Sequence, residues 1–191
     1  MIRVMGLDLK PARSGIAMNY DQTSGALSAH VQCVGKSLVP LHEQVRIVER
    51  ALIVRSNFHR PDIVFIEATF SKGRQSDYGQ LGVHFAVTHV LWSLGIPWVD
   101  VTTGKVKMWA TGSGSQRGAT KVTKDKVVEG IISRYGRAMR IPAGDDDACD
   151  AVALMTMAAA AYGQPVDGVP LADMPKSHAR AVDGLNLPQL G

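Results

Sequence analysis

Two short apolar runs open the chain, Ile2-Arg-Val-Met-Gly-Leu-Asp-Leu9 and Ser14-Gly-Ile-Ala-Met-Asn-Tyr20, with Lys10-Pro-Ala-Arg13 between them. Runs of this length around a Pro-containing break predict a β-hairpin with Asp8 at the end of its first strand. Residues 26–35 alternate loosely and predict a third strand. In residues 38–58 the apolar Leu41, Val45, Val48, Leu52 and Ile53 recur at helical spacing, and Arg60-Pro61 stops that helix. Asp62-Ile-Val-Phe-Ile-Glu67 is a continuous apolar run closed by a carboxylate, as expected of a buried parallel strand. Residues 75–94 predict a second helix with a broad apolar surface (Leu81, Phe85, Thr88, Val90, Leu91, Trp92), ended by Gly95-Ile-Pro97. Residues 98–101 predict another strand, residues 105–110 a helical turn, and Thr111-Gly-Ser-Gly-Ser-Gln-Arg-Gly118 a loop. Thr123 is the expected cap of a helix running to Tyr135, and residues 146–162 the final helix.

Three antiparallel strands followed by alternating helices and strands describe an α/β protein: a mixed sheet flanked by helices. After Gly163 the composition shifts to Pro, Gly and Asp with scattered apolar residues. The expected organisation is therefore one folded domain at 1–162 and a C-terminal tail at 163–191 with little core of its own.

Hydrophobic residues make up 46% of the 191, which excludes a disordered chain. No run approaches the roughly 20 apolar residues of a membrane-spanning helix, and no basic-then-apolar leader pattern opens the chain. Cys33 and Cys149 lie far apart without ligand spacing, which fits a reducing cytoplasm. The net charge of +4 is unevenly placed: residues 71–140 carry eleven Lys or Arg against four Asp or Glu. A basic surface of that kind suits a polyanion. For any single lysine a solvated helix face explains the charge equally well.

The acidic residues concentrate elsewhere. Gly144-Asp-Asp-Asp-Ala-Cys-Asp150 leads into Ala151-Val-Ala-Leu-Met-Thr-Met-Ala, placing four carboxylates at the mouth of a buried helix. One acid there is ordinary capping, a role that fits Asp145. Four exceed it, and their repulsion asks for a cation. Asp147 and Asp150 share a helix face. Asp8 and Glu67 each end an apolar strand, and neighbouring strands would bring them together. Taken singly, Asp8 would begin a turn and Glu67 would lie on the surface. Together the four form a set of oxygen ligands suited to a pair of hard divalent cations, Mg²⁺ or its substitute Mn²⁺.

With these residues in view, the chain resembles the RuvC-like Holliday junction resolvases of the ribonuclease H-like nuclease superfamily, from about residue 2 to 160. Gly6-Leu-Asp8-Leu stands where that family has Gly-Ile-Asp-Pro-Gly. Ile66-Glu67-Ala-Thr-Phe70 is similar to its Ile-Glu-x-x-Phe, and Asp147-Ala-Cys-Asp150-Ala-Val-Ala to its Asp-Ala-x-Asp-Ala-x-Ala. Val106-Lys107 followed by Thr111-Gly-Ser-Gly114 resembles its Val-Lys-x-x-x-x-Gly-x-Gly segment.

The resemblance implies a homodimeric, structure-selective DNA endonuclease that resolves four-way junctions. Asp8, Glu67, Asp147 and Asp150 would hold two Mg²⁺ ions, Lys107 and Lys124 would be the basic catalytic residues, and the helix at 75–94 would form the dimer. Phe70 would stack on a junction base; packing beneath the site is its other reading. Lys72, Arg74, Lys105, Lys107, Arg117, Lys121 and Lys124 are the candidate backbone contacts. Two departures from the family pattern stand out. Leu9-Lys10-Pro11 replaces the Pro-Gly after the first Asp, and the loop before Lys124 is longer, leaving the second basic role open among Lys121, Lys124 and Lys126. A one-residue shift in the acidic run would exchange Asp147 for Asp146. Alternative activities are a nuclease for forks, flaps or RNA–DNA hybrids, a branched-DNA-binding module without turnover, and an actin-like ATP-binding fold. The last lacks a second phosphate-binding Gly motif.

Overall fold

Pleating sends successive side chains of a strand to opposite faces, and β1 (Val4–Asp8) is buried on both. A strand covered on two sides belongs in the middle of a sheet with a layer on each face. The computed structural model of the chain describes residues 2–11, 13–19, 29–34, 60–69, 78–115, 118, 121–139, 141, 144–166 and 169–190. In it β1 is the central strand of a five-stranded sheet ordered β3-β2-β1-β4-β5. Strands β2 (Ser14–Asn19) and β3 (Ala29–Val34) continue antiparallel from β1, while β4 (Ile63–Glu67) and β5 (Trp98–Val101) run parallel to it on the other side. The expected mixed sheet of three antiparallel strands followed by parallel ones is thus present.

One face carries Met5, Leu7, Leu9, Ile16, Met18, Val64 and Ile66, packed against Val83, Val87 and Leu91 of helix α1 (Tyr78–Ser93). The opposite face carries Val4, Ala17, Ile63, Phe65, Val99 and Val101. It is covered by α2 (Thr103–Thr111), α3 (Lys124–Met139) and α4 (Asp146–Ala161). The predicted helix at 38–58 falls outside the described residues. Among the described residues no helix is long and apolar enough to cross a membrane.

Helix α4 lies against the centre of the sheet, and every residue from Ala151 to Ala160 is buried. Such a helix has no amphipathic stripe, because it is covered all round. Two glycines let it approach so closely. A Cβ at Gly6 would stand 2.1 Å from the Ala151 carbonyl oxygen, and one at Gly15 2.0 Å from that of Asp147. Both obstructing atoms are backbone, so nothing can rotate aside. These contacts fix the acidic end of α4 above the hairpin.

Two helices exceed their sequence-based bounds. Helix α2 is not a single turn: Val106, Trp109 and Ala110 bury one face at helical spacing, and Gly112 in the left-handed region (φ 77°) closes it with an N–H donated to the Met108 carbonyl. Helix α3 runs past Tyr135 to Met139, although Gly136 costs about 1 kcal/mol relative to alanine. Ile131, Tyr135 and Met139, four residues apart, are all buried, and that outweighs the glycine.

Residues beyond Gly163 include a 3-10 turn (Leu171–Asp173) and helix α5 (Lys176–Val182). Their buried side chains, Val166, Met174, Ala181 and Val182, join the cluster around α2, α3 and α4. The Tyr162 hydroxyl donates to the Pro188 carbonyl at 2.9 Å.

Candidate metal centre

The sheet registers bring the first two carboxylates together. Leu7 pairs with Ile66 across the parallel β1–β4 ladder, so the next residues, Asp8 and Glu67, end their strands side by side. Alternation then sets their direction. Leu7 and Ile66 belong to the α1 face, which turns Asp8 and Glu67 toward α4. Helix α4 supplies the third member, Asp150. Ligand oxygens of Asp8, Glu67 and Asp150 lie within 4.8 Å of one another.

This arrangement is electrostatically costly without a cation. Burial, reinforced by the carboxylates of Glu67 and Asp150, pushes the Asp8 carboxyl well above the usual range. Burial and Glu67 push Asp150 up to about 7, against the opposing pull of Lys10 and Lys124. Asp8 is fully buried, and its Oδ1 has no hydrogen-bond partner among the described residues. A buried, unpaired carboxylate oxygen beside two further carboxylates fits a hard divalent cation, for which oxygen donors are the preferred ligands. The donor set therefore matches the expected group.

Asp147 is not brought into this cluster. It groups instead with Asp145 and Asp146. Its Oδ1 accepts from Lys10 Nζ and its Oδ2 from Arg13 Nη1 at 2.6 Å. Lys10 Nζ also donates to Asp8 Oδ2 at 2.6 Å, linking the two acidic groups. Burial works against the charge on Lys10, but Asp8 and Asp147 outweigh it and raise its pKa. Arg13 binds both oxygens of Asp145 as well. Asp145 is the N-cap of α4, accepting from the Ala148 N–H at 3.0 Å, as its position suggests. Asp146 is paired with Lys124 at 2.5 Å, a hydrogen bond that holds its carboxyl below the ordinary value.

The candidate basic residues divide by environment. Lys124 reaches the acidic end of α4 through Asp146, and its charge is felt at Asp150. Lys107 is half-buried on α2 and makes no ion pair among the described residues. Lys105 turns away: its ammonium donates to the carbonyls of Ala181 at 3.1 Å and of Asp183, closing the last turn of α5. Lys121 is exposed. Phe70, Lys72, Arg74 and Arg117 lie outside the described residues.

Sequence reasoning did not single out Lys10 and Arg13, which flank the site. A signal for Lys10 existed: it follows Asp8 by two residues, on the same side of an extended chain, where the resemblance breaks down.

No protein-family model matches the chain, and no curated protein does. Among solved structures, RuvC of Thermus thermophilus matches with a TM-score of 0.58 at 24% identity, over 81% of this chain and 91% of that one. The same organism's RuvC in complex with a Holliday junction substrate matches with a TM-score of 0.60 at 19% identity, over the same shares. The class is thereby defined: the chain has a ribonuclease H-like α/β fold. More particularly, it has the fold of RuvC.

Proposed function

We propose that this chain is a divalent-cation-dependent endonuclease that cuts branched DNA, foremost four-way junctions. The observation that carries the proposal is the Asp8–Glu67–Asp150 cluster, buried at the ends of two parallel strands in a fold shared with RuvC. A neighbour of the same fold is solved on a Holliday junction, which favours that substrate.

Mg²⁺ is the expected cofactor, with Mn²⁺ able to substitute. Held by Asp8, Glu67 and Asp150, it would supply Lewis-acid activation of water and charge neutralisation at the scissile phosphate. The chain's own residues do the rest. The three carboxylates stay in place because Gly6 and Gly15 dock α4 onto β1 and β2. Lys107 and Lys124 offer positive charge to the phosphate as it gains negative charge in the transition state. The basic stretch from 71 to 140 provides salt-sensitive affinity for backbone.

Symmetric cutting of a junction needs two sites facing arms of the same polarity, hence a two-fold dimer. Helix α1 supports this. It buries Val83, Val87 and Leu91 on the sheet and exposes Phe85, His89 and Trp92 at spacings of four and three, with His89 stacked on Trp92. Phe85 is 58% and Trp92 70% exposed, an apolar stripe suited to a partner copy.

The test is a side-by-side cleavage assay with junction, fork, flap and RNA–DNA hybrid in Mg²⁺. Paired nicks in the junction are expected. Preference for the hybrid would overturn the junction assignment, and binding without cleavage of any substrate would reduce the chain to a DNA-binding module.

A further inference from the structure

Lys10 occupies the place between the two acidic groups. Its Nζ lies 2.6 Å from Asp8 Oδ2 and also donates to Asp147 Oδ1. The second oxygen of Asp147 is taken by Arg13 at 2.6 Å. Both oxygens of Asp147 and one of Asp8 therefore already hold cationic donors. The remaining Asp8 oxygen is buried and unpartnered among the described residues.

The position of Lys10 follows from the chain. Leu9 is buried with the α1 face, so Asp8 and Lys10, on either side of it, turn toward α4. Reciprocal hydrogen bonds at 3.2 Å, from Lys10 N–H to Ser14 Oγ and from Ser14 Oγ to the Lys10 carbonyl, tie its backbone across the hairpin turn. Ser14 is fully buried, which anchors the turn. The side chain thus begins from a fixed point two residues from Asp8.

We propose that Lys10 fills the second of two cation positions, so that this chain binds a single divalent ion, at Asp8, Glu67 and Asp150, with the Lys10 ammonium standing between Asp8 and Asp147. An ion bridging Asp8 and Asp147 would compete for the oxygens that Nζ occupies and would repel its charge. The inference rests on the nuclease reading and specifies how that site is charged.

Ion counting tests it. Mn²⁺ binding to the full-length protein is measured by calorimetry and by paramagnetic resonance of the free ion, for the wild type, Lys10→Met and Lys10→Arg. The wild type and Lys10→Arg take up about one ion per chain and Lys10→Met about two. Circular dichroism and urea unfolding of each variant confirm that it is folded. Two ions on the wild type with junction cleavage intact would overturn the Lys10 assignment and leave the nuclease reading standing. A folded Lys10→Met that still binds one ion would also overturn it. No ion on any of the three would overturn both.

Discussion

Replacing Asp150 by Asn separates the cost of this site from its use. Two carboxylate charges within 4.8 Å of each other repel by about 3 kcal/mol or more at an effective dielectric constant of 20. Burial, with the repulsion from Glu67 added to it, outweighs the pull of Lys10 and Lys124 and pushes Asp150 up to about 7. An acid whose folded pKa lies above its unfolded value near 4 keeps its proton longer in the folded state. Its contribution to stability is full below about pH 4 and is lost as pH rises toward and through about 7. Asparagine carries no charge and escapes that loss. In EDTA at pH 8, Asp150→Asn should therefore be more stable than the wild type by about 1–3 kcal/mol, allowing for relaxation and screening. At pH 4, near the unfolded value, the difference should shrink to within about 0.5 kcal/mol. Urea unfolding at both pH values, with and without Mg²⁺, reads all of this. Mg²⁺ should stabilise the wild type at pH 8 and have little effect on the variant. A variant less stable than the wild type at pH 8 in EDTA would refute the reasoning, because Asp150 would then be a structural ion-pair partner of Lys10 and Lys124.

Two further outcomes follow from the same geometry. Gly6→Ala should cost about 3 kcal/mol or more, since its Cβ, fixed by β1, meets the backbone carbonyl of Ala151 at 2.1 Å; an unchanged denaturation midpoint would mean that α4 does not press on β1. Lys107→Ala should lower the single-turnover cleavage rate by about 10- to 100-fold with less than about threefold loss of junction affinity, and equal losses in both would make Lys107 a plain backbone contact.

Much of the framework was legible in the sequence because burial on both faces of a sheet leaves continuous apolar runs. The strands ending in Asp8 and Glu67 were visible for that reason; that their ends meet depends on the two being neighbours, which the parallel β1–β4 ladder provides. Helix α4 was legible from its acidic entrance and apolar body. Its closeness to the sheet was not, because Gly6 and Gly15 acquire their meaning only opposite the carbonyls of Ala151 and Asp147. The length of α2 was hidden in a segment where only Val106, Trp109 and Ala110 face the core.

The acidic grouping was only partly legible. Spacing put Asp147 and Asp150 on one helical face, but spacing cannot say which neighbouring side chains each will meet. Lys10 and Arg13, from the hairpin turn, engage both oxygens of Asp147, while Asp150 stands with Asp8 and Glu67. The same limit applied to Lys105. In the sequence it is one of many basic residues; in the fold it closes the end of α5, which lies beyond Gly163.

The central claim is that Asp8, Glu67 and Asp150 form a cation-dependent cleavage centre. It is tested most directly by following cleavage and binding of one four-way junction across a Mg²⁺ titration, for the wild type and Glu67→Gln. Mg²⁺-dependent paired cuts by the wild type, and at least about a thousandfold slower cleavage by Glu67→Gln with junction affinity unchanged, are the predicted result. Cleavage by Glu67→Gln at the wild-type rate, or cleavage by the wild type in EDTA, would contradict it.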